Sequence, residues 1–123
     1  MATTNSYTNA KAILRGKTTV YTAPSAGTTI IKSIRVSNND EENDREITLT
    51  LTDSDSVVYY LEINRKIQKK SSQEILAAGN MQTDSADSSV SSSTPIILKS
   101  SEILKATTTG SDIHIIVSAL EMT

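Results

Sequence analysis

The 123-residue chain contains no cysteine, phenylalanine or tryptophan, one histidine (His114), and four tyrosines as its only aromatics. Without cysteine there is no disulfide scaffold, thiolate metal site or thiol nucleophile. Any zinc site or Ser-His-Asp relay must be built around His114 alone, and no Gly-x-Ser-x-Gly elbow offers it a serine. No run of about 18 apolar residues is present to span a bilayer as a helix. The opening MATTNSYTNAKAILRG lacks the charged start, apolar run and small-residue cleavage site of a secretory signal, and no Asn-x-Ser/Thr sequon occurs. These absences predict a chain made and kept in a cytoplasm. A formal charge of −2 gives no net attraction to phosphate backbones, so neither nucleic acid nor membrane is an expected partner.

What the chain has in quantity is hydroxyl and isoleucine: 18 Ser, 17 Thr and 14 Ile. Threonine and isoleucine favour extended backbone, and no segment repeats apolar residues at helical spacing for three turns. Two-residue alternation dominates. Ile30, Ile34 and Val36 are expected to share one face of a strand from Thr28 to Ser37, with Ile31 as the one large apolar residue on the other. Ile47, Leu49 and Leu51 alternate with Thr48, Thr50 and Thr52. The polar stretch Asn38 to Asp44 between these strands predicts a hairpin.

Asp53-Ser54-Asp55-Ser56 predicts a second tight turn, leading into Val57 to Ile63, where apolar residues on both faces predict a strand covered on both sides. Shorter strands are expected at Thr18–Thr22, Ile75–Ala78, Ile96–Leu98 and Glu102–Ala106. A last strand, Asp112–Glu121, sets Ile113, Ile115, Val117 and Ala119 against His114, Ile116, Ser118 and Leu120. The fold class read from this pattern is all-β, an antiparallel sandwich or jelly roll of about eight strands. Residues 1–16 are set apart as an N-terminal arm and 17–123 as one domain. Within it, 80–94 form a Ser-rich loop whose composition cannot bury enough apolar surface to order itself.

The segment Val20 to Asp40 carries a more specific pattern: Tyr21-Thr22-Ala23-Pro24, then Gly27-Thr28-Thr29, then Lys32 to Val36 with Asn38. It resembles the start of small virion structural proteins of tailed bacteriophages. The likeness continues more loosely through Ile47 to Leu51, Tyr59-Tyr60-Leu61, Pro95 to Leu98, Ile103-Leu104 and Ser118 to Glu121. Gln68-Lys69-Lys70 and the Ser-rich loop depart from the family's pattern. The resemblance implies a non-enzymatic β-sandwich without cofactor or catalytic residues, located in the virion and assembled in the host bacterial cytoplasm. Its implied partners are other virion proteins (major capsid, neck or tail subunits) and further copies of itself as a homo-oligomer. It implies capsid decoration or a head–tail or neck position, with a tail or fibre-associated role as the alternative.

Few residues qualify as sites. Asp53 and Asp55, with Asp40, Glu41, Glu42 and Asp44, could offer oxygen ligands to calcium. Yet the EF-hand glycine is replaced by Val58 and the twelfth-position glutamate by Asn64, so solvated turns are the plainer expectation. His114 is expected to be a strand side chain on the less buried face. Lys66, Lys69 and Lys70, beside Arg65, form the one basic cluster; they are candidate contacts for an acidic surface such as the Asp40–Asp44 loop of another copy, or else guards of an edge strand. Asp84 and Asp87 in the Ser-rich loop are further candidate assembly contacts. A reading of another class, a carbohydrate- or calcium-dependent recognition module on a jelly roll, must use Tyr7, Tyr21, Tyr59 and Tyr60 as its only aromatic platforms.

Overall fold

The computed structural model describes residues 5–76 and 95–122. Among these there is no helix, and the strands are β1 (Asn5–Thr22), β2 (Thr28–Asn38), β3 (Arg45–Thr52), β4 (Val58–Ile67), β5 (Ser71–Glu74), β6 (Ile96–Leu98) and β7 (Ile103–Met122). All their pairings are antiparallel. The all-β, sandwich-like class predicted by the alternation is the one observed.

The organising element is the ribbon formed by β1 and β7, paired from Asn5↔Met122 to Thr22↔Ile103. On its other edge β7 pairs with β3 through residues 103–108 and with β2 through residues 113–122. Two half-sheets result: β4–β3–β7–β1, and β5 with β6 on β2–β7–β1. Their inner faces meet in one core that includes Leu14, Ile34, Leu49, Leu104, Ile115 and Val117. The ribbon turns from one half to the other at Gly16 (φ +61) and Gly110 (φ +83), where a side chain would be strained. The path β4–β3–β7–β2–β5 curls until its ends touch. There the Gln73 side chain accepts from Arg65 Nε at 2.9 Å and donates to the Lys66 carbonyl at 3.0 Å.

Several local expectations change. The Asn38–Asp44 hairpin is not formed: β2 and β3 lie end to end along β7 instead of side by side, and the acidic segment crosses between half-sheets. Ile31, not Ile30, is the inward residue of β2. A register shift between Ile31 and Ser33 inverts the alternation, so Ile31, Ile34 and Val36 are all fully buried. The strands expected at Glu102–Ala106 and Asp112–Glu121 are one, because the threonines at 107–109 continue the extended chain and Gly110 bends it without ending it. Pairing along β2 occupies Ser71–Glu74, before the apolar group at 75. Among the described residues β4 is not covered on both sides, and Tyr60 and Ile63 are each 64% exposed.

The Tyr21–Gly27 motif has a structural role. Tyr21 is buried, and its hydroxyl hydrogen-bonds the Glu121 carboxylate and lies 3.4 Å from Thr29 Oγ1. Ala23 N–H donates to the Glu102 carbonyl at 2.8 Å, Ser101 N–H donates to the Pro24 carbonyl at 3.1 Å, and Gly27 takes φ +90. The motif thus fastens the end of β1 to the approach to β7 and redirects the chain into β2.

Candidate assembly surfaces

The acidic crossing segment is built from its first residue. Asn38, 1% exposed, donates through Nδ2 to the carbonyls of Asn43 and Ile67, both at 3.0 Å, and its Oδ1 accepts from Asp40 N–H at 3.0 Å. Asp40 accepts from the backbone N–H of Glu42 (2.8 Å) and Asn43 (3.1 Å) and from Arg45 Nη2 (2.6 Å). The Glu42 N–H is the largest cause holding its carboxyl down at about 2; burial opposes it, and Arg45 and Asn43 reinforce it. The Arg45 guanidinium lies over Gly110, close enough that a Cβ there would stand 2.7 Å from its Cζ.

The basic cluster meets this same segment. Lys66 Nζ is 3.3 Å from Asp44, Lys70 Nζ is 3.6 Å from Glu41, and Lys69 N–H donates to Asp44 Oδ1 at 2.9 Å. That N–H, followed by the Lys66 ammonium, pulls the Asp44 carboxyl below its ordinary range. The acidic loop considered as a partner from another copy is therefore contacted by Lys66, Lys69 and Lys70 of its own chain. Lys66 and Lys70 remain half-exposed at its rim. Asp84 and Asp87 lie outside the described residues.

Asp53 accepts from the N–H groups of Asp55 and Val57 at 2.9 and 3.0 Å, closing the β3–β4 turn as the sequence predicts. No group of three or more His, Asp or Glu among the described residues is arranged to hold a metal ion. His114 stands exposed on the outer face of β7, opposite Ile13 on β1 and Ser37 on β2.

Two outer surfaces carry exposed apolar side chains, among them Tyr7 and Tyr60, which the sequence offers as aromatic platforms, and Ile13, Ile97 and Ile116, which it did not single out. Tyr7, Leu120, Ile30 and Ile97 form one row across β1, β7, β2 and β6, with Tyr7 79% and Ile97 59% exposed. Ile13 and Ile116 are exposed further along that half-sheet. On the other half-sheet Val58, Tyr60 and Ile63 line a shallow groove with Lys17, Thr48, Thr50, Asn64 and Thr107. The signal for the second surface was legible: apolar residues on both faces of 57–63, in a strand the topology leaves at an edge.

No protein-family model matches the chain, and no curated protein matches it. Among solved structures, it is similar to a pentameric capsid protein isolated from metagenomic phage sequences, at a TM-score of 0.34 and 16% identity over 97% of this chain. The chain spans 60% of that protein's length. A likeness this slight carries no argument about assembly or position.

Proposed function

We propose that the chain is a structural subunit of a bacteriophage particle that works through its surfaces and not by catalysis, decorating the capsid or sitting at the head–tail junction. The observation that carries the reading is the set of outward apolar side chains on both half-sheets: Tyr7, Ile13, Ile97 and Ile116 on one, Val58, Tyr60 and Ile63 on the other. Clustered exposed apolar residues mark surfaces that are covered in use. The Val20–Asp40 pattern adds the phage context, and the structure gives its residues a part in the core and turns. Repeated copies in an assembly add modest contacts through effective concentration, so no single strong interface is required.

The test is quantitative mass spectrometry of gradient-purified particles of the phage that carries the chain. The expected result is a fixed copy number relative to the major capsid protein. Recovery only in the soluble fraction of infected cells overturns the reading. A recognition module is the second reading, favoured by Tyr60 standing exposed beside the hydroxyls of Thr48, Thr50 and Thr107. Specific binding in a glycan screen that Tyr60→Ala abolishes would support it.

A further inference from the structure

We propose that the outer face of the β2–β7–β1 half-sheet is a docking surface for a different protein of the particle, one that sets carboxylates around aliphatic side chains. The inference rests on the assembly reading and names the kind of partner this face fits. The register aligns Ile13, His114, Ser37 and Ser72 in one row across β1, β7, β2 and β5, and Lys11, Ile116, Arg35 and Glu74 in the next outward-facing row. Exposed Ile116 therefore stands between two cations, which lie about 10 Å apart across the sheet. Asn9, Ser118 and Ser33 follow, and then the apolar row from Tyr7 to Ile97.

Charge selects the partner. Besides His114, the acidic and basic side chains within these rows are Lys11, Arg35, Glu74 and, at the register shift after Ile31, Lys32. Three cations thus share one face of a chain whose net charge is −2. Lys11, Lys32 and Arg35 are exposed and make no ion pair among the described residues. Glu74 is turned to its own chain: it hydrogen-bonds Ser33 Oγ and accepts from the N–H groups of Ile34 at 2.8 Å and Leu76 at 3.3 Å. The next acid, Asp112, lies beyond the Ile13–His114 row, where β2 ends. Any occupant that covers Ile116 also takes water from the cations on either side of it, and a purely apolar surface leaves them without counter-charge. Carboxylates opposite Lys11 and Arg35 remove that cost, while the isoleucines supply the apolar contact between them. A second copy laid face to face would oppose cation with cation. Most acids of this chain are already engaged: Asp40, Glu41, Asp44 and Glu62 pair with its own cations, and Asp53 closes its own turn. Elements that lie on lipid keep cations and apolar residues on separate faces. Here they alternate within a single row, which suits paired carboxylates instead.

The test uses the full chain in gradient-purified particles. A zero-length carbodiimide joins a lysine amine to a carboxylate it touches, and peptide mass spectrometry then identifies both residues. The expected result is Lys11 or Lys32 joined to an Asp or Glu of another virion protein. Joining only to carboxylates of this chain, whether those of a second copy or Asp84 and Asp87 of its own Ser-rich loop, overturns the proposal, as does no joining at either lysine. Lys11→Glu/Arg35→Glu should lower the copy number per particle several-fold, whereas Lys11→Arg/Arg35→Lys should keep it, with both melting within a few degrees of the parent. Lys11→Gln/Arg35→Gln serves if the charge reversal misfolds. An unchanged copy number in the folded variant overturns the proposal. Flotation of the free chain with phosphatidylserine vesicles, lost on charge reversal, would place lipid on this face and also overturns it. A chain present at fixed copy number without these effects overturns this inference alone; a chain absent from purified particles overturns the particle reading with it.

Discussion

Gly110 and Gly16 take positive φ at the bend of the same ribbon but differ in what surrounds them. A Cβ on Gly110 would stand 2.7 Å from Arg45 Cζ, whereas one on Gly16 meets nothing within 4 Å. Gly16→Ala is expected to cost the left-handed backbone term of about 1–2 kcal/mol, and Gly110→Ala that term plus displacement of the guanidinium from its place beside Asp40. Denaturant unfolding checks the order; equal midpoints for the two variants would contradict it. Asp40 supplies a pH dependence. Its carboxyl is held at about 2 in the folded chain, against an ordinary value near 3.9. A depressed folded-state value means that its contribution is complete above about pH 4 and is lost as pH falls through about 2. Asp44, shifted the same way, adds to the effect. The melting temperature is expected to fall across that window, and Asp40→Asn to flatten the fall; an unchanged slope in the variant would show that the loop's bonds do not contribute.

At the scale of elements, β7 joins both half-sheets, and its adjacent residues have opposite fates. Ile115 is 1% exposed and Ile116 42% exposed. Ile115→Ala is expected to cost about 2–5 kcal/mol in unfolding free energy, and Ile116→Ala to stay within roughly 0.5 kcal/mol. Comparable losses for the two would mean that the outer face of β7 is packed. The alternation at 112–121 made this distinction legible from the sequence, as did the Ile47/Leu49 pattern of β3 and the Asp53–Ser56 turn. The bulge after Ile31 was not legible, because an extra residue in a strand leaves no compositional mark yet inverts every position before it. Nor was the crossing at 39–44: a polar turn segment reads alike whether the flanking strands pair with each other or with a third strand. The basic cluster and the acidic loop were both visible as charge, but only the curl of the sheet brings Lys66 to Asp44 and Lys70 to Glu41.

For the whole molecule, the hydroxyl-rich, aromatic-poor composition resolves into a core made largely of aliphatic side chains, with Tyr21 alone among the tyrosines buried inside it. Threonine lines much of the outward face of the β3 half-sheet, while Tyr7, Tyr59 and Tyr60 are exposed. Such a distribution leaves apolar side chains on the outside of both half-sheets. Replacing Tyr7 and Ile97 together with lysine is expected to leave melting within a few degrees of the parent while lowering the copy number found in purified particles. Unchanged copy number would remove that row from the assembly surface. The most direct measurement is an electron cryomicroscopy reconstruction of the purified particle. The expected result is density for this sandwich with the Tyr7–Ile97 row and the Val58–Ile63 edge buried against neighbouring subunits. A map that holds no such sandwich, or holds it with both surfaces open to solvent, would contradict the assignment of this chain to assembly.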